Sequence, residues 1–283
     1  MIFDVAYKFA RKSLSQSLYD FISFDLLRRR TRYERWETYR DIIAHYRSRN
    51  LDFQGRAVAE IGCGRQYYTA LGFLAAGAAR VHMVEPKLAF SPDILAQHLR
   101  TFNDRMGTSL DLEAMKARIT CHPDTSAFPP AMDAGIDLIC SFTVLEHVRD
   151  LASFFADTAR LLRAGGLAYH MVDVSDHTYQ VFARWSLGGK LNHYRALYHL
   201  RYSPRFYRFL NDEKCHMNRE LLPAYLKLAE ENRLEVLELE TAPYAEPVSI
   251  HPGVLERAGA HPDPGHLHVT SFSLKLRKRD PGG

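Results

Sequence analysis

The 283-residue chain lacks several features that would assign it to common protein classes. It has no run of about 18 apolar residues, so it predicts no membrane span, and no long apolar core follows Asp4 to predict a signal peptide. It contains only four cysteines, and their spacing predicts no metal site. Cys63, Cys121 and Cys140 lie on or beside predicted core strands, where a free cysteine behaves as a small hydrophobe. These absences favour a cytoplasmic protein without a bound metal.

The chain also lacks a large excess of positive or negative charge, since its formal net charge is only +4. Residues 1–50 hold eleven Lys and Arg against six Asp and Glu, so the small positive excess is concentrated there. Its densest part runs from Arg28 to Arg35. Such a patch suits a solvated helix face, or alternatively a surface that meets an anionic substrate, a nucleic acid or a membrane.

The pattern of apolar residues divides the chain into segments of different kinds. Residues 1–50 have helical periodicity and predict a helical lead-in, whereas residues 51–283 predict one domain. Within it, residues 56–175 alternate short apolar strands with helical stretches, which predicts an α/β fold with a doubly wound, mostly parallel sheet. The segment 176–217 is rich in aromatic and basic residues and too long for a simple connection, so it predicts a helical lid inserted after the fifth strand. Asn218 then predicts the N-cap of a further helix.

A glycine-containing turn is the most informative local feature. The apolar residues 57–61 predict a strand that includes Glu60 and runs into a turn with Gly62 and Gly64. Two positions without Cβ atoms let the backbone approach a ligand closely. At the carboxyl end of a parallel strand, that ligand is usually a nucleotide.

The residues after this turn narrow the choice of nucleotide. A second apolar strand, residues 80–84, ends in Glu85, whose carboxylate can accept hydrogen bonds from ribose hydroxyls. The third glycine of the dinucleotide-binding pattern is missing, because Tyr67 stands in its place. This argues against NAD or FAD.

Several motifs together resemble those of one family. Glu60-Ile-Gly-Cys-Gly64 resembles the first motif of the class I S-adenosylmethionine-dependent methyltransferases, and Asp137-x-Ile-x-x-x-x-Val-Leu-Glu-His-Val148 is similar to that family's fourth strand and loop. Ile119–Ser126 and Leu161–His170 match its third and fifth strands in the same order. The resemblance implies a Rossmann-like fold with a seven-stranded sheet, N-terminal helices, S-adenosyl-L-methionine as cofactor and no obligatory metal.

The resemblance also implies roles for single residues. Gly62 and Gly64 correspond to the backbone beside the methionine part of the cofactor. Glu85 corresponds to the ribose clamp and Asp124 to the adenine contact. The alternatives are a surface charge at Glu85, an Asx turn at Asp124 and plain core packing of Phe142. The full set implied to bind the cofactor is Glu60, Gly62, Cys63, Gly64, Glu85, Pro86, Asp124, Thr125, Ser126, Ser141 and Phe142, with Cys63 acting through its backbone.

Transfer to an oxygen acceptor needs a general base, for which there are two candidates. His147 is predicted to start the helix after the fourth strand, near the entrance for an acceptor. Asp176 and His177 follow the fifth strand, and a histidine beside a carboxylate can titrate near neutrality and take a hydroxyl proton. The alternative for His147 is a role in the cofactor pocket or the local turn, and the alternative for Asp176 and His177 is capping of a loop.

These observations predict an enzyme that methylates a small-molecule or sugar- or glycan-linked acceptor, at oxygen. The first alternative is an RNA or other nucleic-acid methyltransferase, against which the small net charge and the lack of an Asn-Pro-Pro-Tyr or Asp-Pro-Pro-Tyr motif argue. The second alternative is a non-catalytic protein that binds the cofactor. The intact glycines and Glu85 argue against that second alternative.

Overall fold

The computed structural model describes residues 35–64, 66–86, 89–176, 197–211, 216–243 and 269–280, together with Ser13. The predicted helical lead-in is therefore described as a continuous segment only from Arg35 onward. Most of the basic patch and most of the predicted lid insert, His177 included, lie outside the described residues.

Seven strands form one sheet in the described part of the chain. They are β1 (Ala57–Ile61), β2 (Arg80–Val84), β3 (Ile119–His122), β4 (Ile136–Phe142), β5 (Leu162–Asp173), β6 (Leu234–Pro243) and β7 (Val269–Lys278). Their order is β3-β2-β1-β4-β5-β7-β6, with β1 to β5 parallel and β7 antiparallel between β5 and β6. This confirms the predicted mostly parallel sheet. Because the strand order reverses between β1 and β4, ligands are expected at the carboxyl ends of these two strands.

Helices cover both faces of this sheet. They are α1 (Arg35–Ser48), α2 (Tyr68–Ala75), α3 (Pro92–Met106), α4 (Leu112–Lys116), α5 (Leu151–Leu161), α6 (Pro204–Leu210) and α7 (Leu222–Glu231). On one face Tyr46, Phe73 and Phe102 belong to a buried cluster with side chains of α1, α2 and α3. On the other, Phe155 and Tyr225 join α5 and α7 to a second cluster. None of the helices in this part of the chain has the length and apolar character needed to cross a bilayer.

Helix α3 shows how local sequence sets these elements. Ser91 caps its N-terminus, since the Ser91 side chain accepts a hydrogen bond from the Ile94 amide at 3.4 Å. Leu95, Leu99 and Phe102 recur at helical spacing and are buried against the sheet. The helix thereby anchors the segment that follows β2.

Two local predictions beside the site were wrong. Asn218 does not cap a helix, because α7 begins at Leu222 with Leu221 as N-cap. Its side-chain amide instead donates to the carbonyls of Leu145 at 2.7 Å and Val148 at 3.0 Å. His147 likewise does not start a helix: it ends a 3-10 turn that begins at Leu145, and α5 starts four residues later.

Candidate cofactor and acceptor site

The structure brings the ends of the first three strands to one edge. Ile61 pairs with Val84, so the residues that follow β1 and β2 lie side by side. The amide of Gly62 donates to the Val84 carbonyl at 2.8 Å, and the amide of Glu85 donates to the His122 carbonyl at 3.0 Å. The glycine turn and the predicted ribose clamp are therefore neighbours.

The glycine turn needs glycine for two separate reasons. Gly62 and Gly64 have φ of 71° and 66°, in the left-handed region that L side chains rarely adopt. A Cβ atom on Gly62 would lie 2.7 Å from Val144 Cγ1 and closer still to Cγ2, so the loop after β4 packs directly on the turn. A Cβ atom on Gly64 would meet only the Tyr39 hydroxyl, at 3.4 Å. The turn is thus bounded by the β4 loop and by α1.

Glu60, two residues before Gly62, is buried and links β1 to the start of α2. Its side chain is 4% exposed, and the Thr69 hydroxyl of α2 donates to its carboxylate. Burial raises the pKa of Glu60 to about 7, against the lowering effect of the Thr69 hydrogen bond. Tyr67, which stands in place of the third glycine, is fully buried, and its hydroxyl accepts from the Ser91 amide at 2.8 Å. These contacts tie the start of α2 to β1 and α3.

The side chains of two predicted cofactor residues are buried away from the surface of this edge. Cys63 is 3% exposed, burial raises the pKa of its thiol, and its Sγ lies 3.5 Å from the Gly64 carbonyl oxygen. Ser141 is fully buried, with its hydroxyl 2.8 Å from Nδ1 of His170. Burial lowers the pKa of His170 to about 3, so this imidazole is neutral at physiological pH.

Three other predicted cofactor residues are more exposed to solvent than Cys63 and Ser141. Glu85 is half-buried at the end of β2, and Pro86 is exposed behind it. Phe142 is half-buried on the face of the sheet opposite Ser141, and its ring meets His45 of α1 edge-on at 5.4 Å. Helix α1 therefore borders the same edge as the glycine turn.

The Asp124 loop is built by its own side chains. Asp124 accepts from the Ala127 amide at 3.0 Å and from the Ser126 hydroxyl at 2.6 Å. The Thr125 hydroxyl donates to Asp157 of α5 at 2.7 Å. The Asx-type turn that was the alternative for Asp124 is therefore present, and it fixes the loop beside β3.

His147 is oriented by a main-chain acceptor. Its Nδ1 lies 2.5 Å from the carbonyl oxygen of His216. Because a carbonyl can only accept, Nδ1 carries the hydrogen, and Nε2 is the acceptor nitrogen of the neutral ring. A general base requires an acceptor nitrogen, and this hydrogen bond assigns that role to Nε2.

One predicted residue follows β5, and one residue that the prediction missed lies beside His147 in the loop after β4. Asp176 is 1% exposed, and its predicted partner His177 lies outside the described residues. Glu146, beside His147, was not assigned a role although it stands in the Leu-Glu-His-Val motif. It is 1% exposed, and burial, assisted by the nearby Asp173 carboxylate, raises its pKa to about 8. The position of Glu146 in the motif could have marked it as a candidate from the sequence. Its burial could not have been predicted, because it depends on tertiary packing.

Comparisons with known proteins agree with this fold. A family model described as a methyltransferase domain matches residues 33–239. Among solved structures, the chain is similar to geranyl diphosphate C-methyltransferase from Streptomyces coelicolor A3(2), at 12% identity over 84% of this chain and 79% of that one, with a TM-score of 0.50. It is also similar to an S-adenosylmethionine-dependent methyltransferase from Mesorhizobium loti, at 14% identity, 83% and 96% coverage and a TM-score of 0.48. No curated protein matches the sequence.

Because the family model spans most of the chain, the chain belongs to the methyltransferase-domain family, and it is an enzyme that uses S-adenosylmethionine. The observed edge fits this cofactor. The turn at Gly62 and Gly64 presents backbone without side chains, and carboxylates stand after the next two strands at Glu85 and Asp124. The contacts that each of these residues makes with the cofactor stay predictions.

Proposed function

We propose that this enzyme methylates a hydroxyl oxygen of a small-molecule or sugar-linked acceptor. The observation that carries the proposal is the fixed tautomer of His147. His147 lies on the loop after β4, whose Val144 packs against the Gly62 position of the glycine turn. A base oriented within a loop that touches the cofactor turn suits deprotonation of a bound hydroxyl.

In this proposal the chain acts mainly by holding two reactants in line. The backbone at Gly62 and Gly64 receives the methionine part, Glu85 accepts from the ribose hydroxyls, and Asp124 lies beside the adenine. When bound, S-adenosylmethionine supplies an electrophilic methyl group. Positioning of this kind can contribute several kcal/mol to catalysis.

The proton of the acceptor hydroxyl goes to Nε2 of His147, since Nδ1 is committed to the His216 carbonyl. The resulting imidazolium keeps both N–H groups as donors, so the bond to His216 survives protonation. Asp176 and His177 remain the second proposed base, and only Asp176 belongs to the described residues.

Replacement of Glu85 tests the cofactor site. Glu85→Ala should weaken binding of S-adenosylhomocysteine by about ten-fold or more, at least ~1.4 kcal/mol, because the ribose hydroxyls lose a charged acceptor. Isothermal titration calorimetry measures the change. Glu113→Ala is the matched control, since the Glu113 side chain is 76% exposed and pairs with Lys116 away from this edge. Equal affinity of the Glu85 variant and wild type would contradict the ribose role.

Replacement of His147 tests the base. His147→Asn places an amide donor near the position of Nδ1, which retains the bond to the His216 carbonyl, but it supplies no basic nitrogen. Methyl transfer should fall about 100-fold or more, while S-adenosylhomocysteine affinity stays unchanged. Transfer is measured with methyl-labelled cofactor and hydroxyl-bearing acceptors, and the product is examined for an O-methyl group.

The same labelling experiment separates the alternatives. Label in RNA, with binding that falls steeply with salt, would favour a nucleic-acid methyltransferase. Cofactor binding without label in small molecules, glycans or RNA would favour a non-catalytic role. Full activity of His147→Asn would remove His147 as the base and direct attention to Asp176 and His177.

A further inference from the structure

A basic cavity of about 380 Å³ lies between α6, the start of α7 and the segment that precedes α5. Arg149, Arg208, Arg219 and His216 line it, and Glu220 is the one carboxylate among its described lining residues. We call this cavity the basic pocket. Its volume falls within the range of sites that bind small molecules.

Arg219 is fixed in the wall of the basic pocket. Its Nη2 donates to the carbonyls of Leu200 at 3.1 Å and Tyr202 at 2.9 Å, and its guanidinium lies 5.0 Å from the centre of the Tyr207 ring. Its Nε is buried and has no hydrogen-bond partner among the described residues. These hydrogen-bond acceptors are neutral, and the Glu220 carboxylate that favours the cationic form of Arg219 is exposed to solvent. A half-buried guanidinium in this setting favours a further anionic group nearby.

The start of α7 adds positive potential to the same cavity. Leu221, the N-cap residue, makes no side-chain cap, and Leu221, Pro223 and Ala224 all line the basic pocket. A helix N-terminus carries a partial positive charge. Here the contribution is that charge and not free amides, because Pro223 has no N–H and the Ala224 amide donates to the Leu221 carbonyl at 2.9 Å. The arginines and the start of α7 therefore both favour a negatively charged ligand.

The basic pocket is bonded directly to the loop that carries the proposed base. His216 in its wall supplies the carbonyl that orients His147. Asn218, also in the wall, donates to the carbonyls of Leu145 and Val148 on either side of that histidine. A ligand group in the pocket would therefore lie one loop away from the proposed methyl-transfer site.

We propose that the basic pocket binds the phosphate group of a phosphorylated acceptor, so that the substrate class is a sugar phosphate or another phosphorylated small molecule. This inference rests on the proposed methyl transfer to a small acceptor. Among the described lining residues, three guanidinium groups stand against one carboxylate, which matches the near-dianionic charge of a phosphate monoester better than the single charge of a carboxylate. Guanidinium groups also fit phosphate oxygens in bidentate geometry.

Phosphate binding is tested first with inorganic phosphate and pyrophosphate as probes, by calorimetry on the full chain. Arg208→Gln should weaken their binding about ten-fold or more. Arg208 is exposed on α6, so its replacement is not expected to unfold the protein. Arg205→Gln is the matched control, because Arg205 is exposed on the same helix and does not line the pocket. Equal weakening by both variants would indicate unspecific attraction and overturn the site.

The acceptor class is tested with pairs of sugars and the corresponding sugar phosphates, titrated in the presence of S-adenosylhomocysteine. Phosphorylated members should bind at least ten-fold tighter to wild type, and Arg208→Gln should remove this preference. Binding of inorganic phosphate without a preference for sugar phosphates would make free phosphate the ligand and overturn the acceptor assignment. Failure of wild type to bind S-adenosylhomocysteine would instead contradict the proposed function, so the two failures are distinguishable.

Discussion

Gly62→Ala is expected to lower the free energy of unfolding by about 3 kcal/mol and to abolish measurable cofactor binding. Two costs add at this position. The backbone has φ of 71°, and the new methyl would overlap both γ-carbons of Val144, with Cγ1 at 2.7 Å. Relief of the overlap must move either the turn or the β4 loop, and both border the proposed methionine site. Urea denaturation and titration with S-adenosylhomocysteine measure the two effects.

Gly107→Ala separates these two costs. Gly107 has φ of 62° at the end of α3, and a Cβ atom there would meet nothing within 4 Å. The Gly107→Ala variant should lose only the free energy of unfolding that comes from backbone conformation, about 1 kcal/mol. It should bind the cofactor normally. In the double variant Gly62→Ala/Val144→Ala, part of the lost stability should return because the γ-carbons are gone. Equal losses at Gly62 and Gly107 would show that the contact with Val144 is unimportant.

The sheet edge could be predicted from the sequence because its signals are local. Glycines at 62 and 64, an acidic residue after β2 and alternating strand and helix patterns each depend on a few neighbouring residues. The parallel register then aligns Ile61 with Val84, which places the following residues together whatever the loops contain. Strand alternation also explains why Ser141 and Phe142 point to opposite faces, although both were expected to line the cofactor site.

The acceptor side could not be predicted in the same way, because its contacts join distant parts of the chain. Asn218 has a side chain typical of an N-cap, yet its amide binds carbonyls 70 and 73 residues earlier. The basic pocket combines Arg149 with Arg208 and Arg219, which no local pattern relates. The burial of Glu146 likewise depends on packing around the end of β5 that its motif does not reveal.

Glu146→Gln is expected to stabilise the protein at neutral pH, by about 3 kcal/mol at pH 7. Burial, together with the nearby Asp173 carboxylate, raises the pKa of Glu146 from 4.5 to about 8. Between these values the unfolded chain ionises this residue while the folded chain keeps it protonated. The free energy of unfolding of wild type therefore falls as pH rises through this window. A neutral amide of the same shape removes that dependence.

The test is the difference between the variant and wild type as a function of pH. Burial also raises the pKa of Glu60 to about 7 and lowers that of His170 to about 3, but both residues are present in either protein, so their contributions cancel in the difference. The stability advantage of Glu146→Gln should grow from pH 5 to pH 8. A constant cost of burying the new amide would shift this curve without changing its slope. Glu113→Gln, at a 76% exposed side chain, is the control for replacing a glutamate by glutamine.

A rising advantage would mean that Glu146 lowers the stability of the protein at neutral pH. Ionisable groups with strongly shifted pKa values concentrate at functional sites, where residues that reduce stability persist because activity requires them. Glu146 precedes the proposed base, and its carbonyl accepts from the Asn218 amide at 2.7 Å, in the wall of the basic pocket. The stabilised variant should therefore bind S-adenosylhomocysteine normally and transfer methyl groups more slowly. Parallel stability curves would show instead that Glu146 titrates normally in the folded protein.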